Sequence, residues 1–106
     1  MTIKNILVPV DGSEGSDRAV TQAITLAEAC GAKLNFLYVA NINQLAINAC
    51  LSDSILDAVT KAGNVILDRA MEMVPSGIDK EAFSETGSPA VVILDFATDK
   101  DMDMIV

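Results

Sequence analysis

Asp11, at the end of the apolar run in ILVPVDGSEGSDRAV, is the first residue of this sequence placed to do chemistry. A carboxylate there can accept hydrogen bonds from a ligand, hold a divalent cation, or cap backbone in the Asp11-Gly12-Ser13 turn. The stretch Gly12-Ser13-Glu14-Gly15-Ser16 that follows is neither GxGxxG nor a P-loop. Asp11, Glu14 and Asp17 also crowd negative charge around its amides, so it reads as a capped helix start rather than a phosphate cradle. Asp95, Asp99, Asp101 and Asp103 have the wrong spacing for a Ca²⁺ loop and read as an exposed acidic helix end, with no metal site. The sequence has no histidine, which removes Ser/His and Cys/His pairs and the commonest zinc ligand. Cys30 and Cys50 form no CxxC pair and read as buried free thiols. No set of residues here makes a catalytic constellation, and the chain is read as a non-enzyme.

The elements that must position Asp11 follow from hydrophobic spacing. Ile3 to Val10 is a buried strand ending in a turn signal. From about Ser16 to Cys30, Ala19, Val20, Ala23, Ile24 and Ala27 recur at helical spacing. Ser13 or Ser16 caps this helix, and Gly31 sits where a left-handed residue ends it. Lys33 to Val39 is a second strand. Residues 40–52 are ambiguous between loop and a short helical turn. Asp53 then caps a long helix to about Val74, with an apolar face of Leu56, Val59, Ile66, Ala70 and Met73, stopped by Pro75-Ser76-Gly77. Ile78 to Thr86 is a polar third strand near an edge. In Gly87-Ser88-Pro89-Ala90, Ser88 is the N-cap and Pro89 the first residue of a helix running through about Thr98. The free amides at that start form a generic anion site, but a well-capped junction is the simpler account. Asp103 to Val106 opens a fourth strand. Strands alternating with helices give an α/β domain with a parallel sheet and right-handed crossovers.

Charge and composition narrow the partners. Seven basic against fifteen acidic residues give a net charge of −8, which opposes binding to nucleic-acid backbones or anionic lipid. No apolar run approaches a membrane span, and no secretory signal opens the sequence, so a cytoplasmic setting is expected. The length fits one domain, residues 1–106.

Four stretches together resemble the universal stress protein family: ILVPVDGSEGSDRAV, AKLNFLYVA, ETGSPAVVILDFA and DMDMIV. The resemblance runs over essentially the whole chain. It implies a Rossmann-like open, mostly parallel sheet with helices on both faces, and a stress-response role with an adenine nucleotide, ATP with or without Mg²⁺, as ligand. By the same resemblance Asp11 meets the adenosine part, Pro9 and Val10 line the pocket beside it, and the Val39 backbone meets the adenine edge. Gly87 and Val106 join that cofactor-binding set. Nucleotide-binding members carry a glycine-rich segment, G-x2-G-x9-G-(S/T), after the fourth strand. This sequence stops at Val106, so the resemblance implies a domain missing its last helix and strand, with weak or lost nucleotide binding. An unpaired fourth-strand edge would then favour a homodimer or higher self-association. The alternative is a nucleotide-independent protein-interaction module. A phosphoacceptor receiver is disfavoured, because Val8-Pro9-Val10 and Ser84-Glu85-Thr86 lack the acids it needs. An adenylyl-transfer enzyme is disfavoured by the absence of a histidine-containing signature.

Overall fold

The computed structural model describes residues 2–41 and 53–106. Its elements are β1 (Asn5–Pro9), α1 (Glu14–Cys30), β2 (Lys33–Ala40), α2 (Asp53–Met73), β3 (Lys80–Thr86), α3 (Pro89–Asp99) and β4 (Met104–Ile105). All pairings in the sheet are parallel, in the order β3-β2-β1-β4. Each strand-to-strand passage therefore needs a crossover, and the helices supply it. α1 and α2 carry the chain outward from β1 to β3, and α3 carries it back to β4. Right-handed crossovers in opposite directions put α3 on the opposite face from α1 and α2.

The two faces are visible in the packing. Ile6, Val8 and Val10 of the first strand and its end, with Leu34 and Phe36 of β2, meet Val20, Ala23 and Ala27 of α1, Leu67 and Ala70 of α2, and Val74 just beyond it. On the other face Leu7 and Leu37 meet Phe96 of α3, flanked by Val39, Phe83, Ile93 and Met102. The strands are apolar on both sides because both sides are covered. Asn35 is the buried exception, opposite Leu7, and its amide donates to the Ile6 carbonyl at 3.3 Å. Without a partner, such a buried amide would cost about 1–3 kcal/mol.

Several sequence expectations change here. α1 begins at Glu14, not Ser16, with Ser13 as its N-cap. At its other end Gly31 (φ 68°) turns the chain, and the N–H groups of Gly31 and Ala32 both donate to the Ala27 carbonyl. That turn places Ala32 in the core and leaves Cys30 exposed, contrary to the buried thiol expected. On α2 the inward row is Gly63, Leu67 and Ala70, continued by Val74 just past its end, spaced by three and four, so Met73 lies at the rim instead of in the core. Asp53, expected as the cap, is instead already helical; residues 42–52 of the ambiguous 40–52 stretch, Cys50 among them, lie outside the described residues. Ser88 is the N-cap of α3, but its side chain makes no capping hydrogen bond.

Candidate functional site

β1 is the point where the chain's direction of travel across the sheet reverses, since β2 and β4 flank it and are reached by crossovers on opposite faces. Ligands of open α/β sheets bind beyond the carboxyl ends of the strands at such a switch point. A cleft of about 400 Å³ lies there. Its walls are Pro9, Val10 and Asp11 at the end of β1, Leu37 and Val39 of β2, and Pro89 and Ile93 of α3. The start of α1 closes the remaining side with Ser13, Gly15, Ser16 and Ala19.

Asp11 is fixed by a closed circuit of local hydrogen bonds. Its backbone N–H donates to Ser16 Oγ (3.2 Å), the Ser16 N–H donates to Ser13 Oγ (3.1 Å), and the Ser13 N–H donates to Asp11 Oδ1 (2.9 Å). The Asp17 N–H closes the first helical turn on the Ser13 carbonyl at 3.0 Å. The Ser13 hydroxyl, then the Ser13 and Asp11 backbone N–H groups, hold the Asp11 carboxyl below the usual carboxylate range against a partial opposing effect of burial. The cleft therefore presents a fixed negative charge among mainly apolar side chains. Such a site can accept hydrogen bonds from hydroxyl or amine groups while apolar walls cover a flat ring.

Of the six positions singled out in the sequence, Pro9, Val10, Asp11 and Val39 come together in the cleft wall. Gly87 and Val106 lie outside it. The Gly87 N–H donates to the Ala40 carbonyl (2.9 Å), tying β3 to β2. The Val106 N–H donates to the Leu7 carbonyl (3.0 Å), and strand alternation turns the Val106 side chain towards the core on the α1/α2 face. Leu37, Pro89 and Ile93 were not picked out as site residues in the sequence, because each reads as ordinary core or helix-start. Ser16 was noted only as a possible cap, yet its hydroxyl anchors the Asp11 backbone. Of the acidic residues at the end of α3 and beyond it, Asp103 has a structural part: its Oδ2 accepts from the N–H groups of Lys4 and Asn5, both at 2.9 Å.

The sequence matches the Universal stress protein family over residues 2–106. The chain belongs to the universal stress protein family. Its relatives include the universal stress protein YxiE of Bacillus subtilis (strain 168), 31% identical over 111 aligned residues that take in 95% of this chain and 75% of that one. Among solved structures, hypothetical protein MJ0577 superposes with a TM-score of 0.86 at 19% identity, over 99% of this chain and 73% of that one. A universal stress protein in complex with cAMP superposes with a TM-score of 0.66 at 24% identity, over 99% of this chain and 72% of that one. These likenesses establish the Rossmann-like universal stress protein fold, and family membership makes this a stress-response domain. Among the described residues, no helix of this universal stress protein domain is long and apolar enough to cross a membrane.

Proposed function

We propose that the cleft at the carboxyl ends of β1 and β2 binds the adenosine part of an adenine nucleotide, without turning it over. The observation that carries this reading is the ionised Asp11 carboxylate set among the apolar side chains of Val10, Leu37, Val39 and Ile93 at the sheet's switch point. An apolar slot suits a purine, and a carboxylate beside it suits ribose hydroxyls. The cAMP complex of a structurally similar universal stress protein supports the ligand class. ATP, with or without Mg²⁺, is one member of that class. The absence of histidine from the sequence supports a binding role over a catalytic one. A charge of −8 argues against nucleic acid or anionic membrane as partner, and a cytoplasmic setting is in keeping with a nucleotide ligand. The test is calorimetric titration of this chain with adenosine and with Mg-ATP, after circular dichroism confirms folding. Saturable heat with either ligand is expected, and its loss in Asp11→Ala would assign it to this cleft. No heat with either, in folded protein, would overturn the reading and favour a role through protein contacts alone.

A further inference from the structure

We infer that the outer edge of β3, with the acidic groove between it and α3, receives an extended basic segment of another protein as an added strand. The inference stands apart from the nucleotide reading, because none of the residues that line this groove lines the cleft.

The backbone supplies half of the site. β3 is an edge of the described sheet, paired with β2 on one side only. The Asp79 carbonyl accepts from the Leu34 N–H just before β3, and the Gly87 N–H donates to the Ala40 carbonyl just after it. Backbone groups of successive strand residues point alternately to the two sides. Glu81, Phe83 and Glu85, in step with Asp79 and Gly87, therefore face β2. Lys80, Ala82, Ser84 and Thr86 turn their N–H and C=O groups outward, and all of them are exposed. A row of unpaired donors and acceptors of this kind is a template for a further strand.

The groove supplies the other half, which is selectivity. It is a pocket of about 200 Å³ beside the edge, lined by the apolar Val92 and Phe96, by Thr86, and by the carboxylates of Glu85, Asp95 and Asp99. Asp95 and Asp99 stand one turn apart on α3, and Glu85 shares with Phe83 the strand face that packs towards α3. Among the described residues none of these carboxylates is paired with a Lys or Arg. Residues 42–52, INQLAINACLS, carry no charged side chain that could pair with them. An apolar stem ending in a positive charge, a Lys or Arg side chain, matches such a pocket. Like charges keep acidic copies of this chain off the edge, whereas a basic strand is attracted to it. The 106 residues hold no such strand, since the nearest pair of basic residues, Lys61 and Arg69, is eight positions apart. A guest strand puts every second side chain on the α3 face, one beside Phe83 and the next beside Glu85. The pattern recognised is therefore an apolar residue two positions from a Lys or Arg.

The experiment titrates the isotope-labelled chain with the peptide TKTVTKT, which reads the same in both directions, and with TQTVTQT as its uncharged control, followed by NMR. Binding of TKTVTKT should slow hydrogen exchange at the Lys80, Ala82, Ser84 and Thr86 amides. The amides of Glu81, Phe83 and Glu85, already directed at β2, should stay as they were. TQTVTQT should bind about threefold to tenfold more weakly at low salt, with the gap closing as salt rises. Asp95→Asn combined with Asp99→Asn should weaken TKTVTKT towards its control and leave the control unchanged. Ser84→Pro removes one outward N–H at a place where edge strands accept proline, and should weaken both peptides; if that variant fails to fold, the paired Asn variant still decides. Equal binding of the two peptides at low salt, or shifts gathered on α1 or at the cleft instead of on β3, would overturn the proposal. So would silence from both peptides. Slow exchange at the outward amides before any peptide is added would overturn it too, since the edge would then already be covered.

Discussion

Removing the Asp11 carboxylate has two separable effects, because the same group faces the cleft and accepts the Ser13 N–H. Asp11→Asn keeps the shape and an acceptor oxygen, so folding should survive while the charge-assisted contact to a ribose hydroxyl is lost. Hydrogen bonds to charged groups contribute about 1.5–3 kcal/mol, so adenosine affinity should fall by about tenfold to a hundredfold, read by calorimetry. Ser13 is the complementary probe. Ser13→Ala removes the N-cap of α1 and should cost about 1 kcal/mol in denaturant unfolding. It also removes the largest influence holding the Asp11 carboxyl low, so that carboxyl should titrate closer to its ordinary value when followed by NMR. A Ser13→Ala protein with unchanged Asp11 titration would break the proposed circuit. This part of the site was legible in the sequence because it is local: Asp11, Ser13 and Ser16 sit within one turn, and turn chemistry is written in adjacent letters. Leu37, Pro89 and Ile93 were not legible as cleft residues, because only the crossover to the opposite face brings α3 over the end of β2.

Helices and strands here are held by a few specific contacts that can be tested one by one. α2 approaches β2 at Gly63, where an added Cβ would lie 2.7 Å from both Cδ2 and Cε2 of the Tyr38 ring. Two effects compete in Gly63→Ala. Alanine gains about 1 kcal/mol of helix propensity, while overpacking against a half-buried ring costs about 1–3 kcal/mol. The clash should win, lowering the melting temperature by about 5 °C. Combining it with Tyr38→Ala should recover the clash component in a double-mutant cycle; additive losses would mean the contact is not what sets the cost. β4 is held differently. Its two residues pair with Ile6 and Leu7, and the Asp103 carboxylate pins the Lys4 and Asn5 N–H groups just before β1 and at its first residue. Those N–H groups hold the Asp103 carboxyl below its usual range. A carboxylate lowered on folding stabilises above its unfolded value of about 3.9 and loses that contribution as pH falls through the lower folded value. Asp103→Asn should therefore flatten the acid limb of stability below about pH 5, and speed hydrogen exchange at the Lys4 and Asn5 amides. An unchanged acid limb would assign the acid sensitivity to other carboxylates, Asp11 among them. The element order was readable from alternating strand and helix patterns, whereas the phase of a helix face was less so. On α2 both Ile66 and Leu67 are apolar, and only packing on the sheet decides that the row through Leu67 and Val74 faces in and Met73 stays at the rim.

The two edges of the described sheet are unlike each other, and that difference bears on how whole molecules meet. β3 forms one edge with Lys80, Glu81, Ser84 and Glu85 exposed, a charged strand that discourages pairing with another acidic copy. β4 forms the other edge, where Ile105 is 44% exposed and shares the α3 face of the sheet with Leu7. On α3, Val91 (56%) and Leu94 (63%) lie one turn apart on the outward side. Apolar surface of this kind favours association, while a net charge of −8 on every copy opposes it. Salt decides between the two, because screening weakens the repulsion and leaves the burial of apolar area intact. We therefore expect light scattering to show self-association that increases with protein concentration and with salt. Leu94→Glu adds charge to the apolar side of α3 without touching the cleft, and should shift the population to monomer while leaving adenosine binding unchanged. Association that weakens with salt would point instead to contacts between charged groups. A monomer at every concentration and salt would mean that this apolar surface is too small to overcome the repulsion between acidic copies.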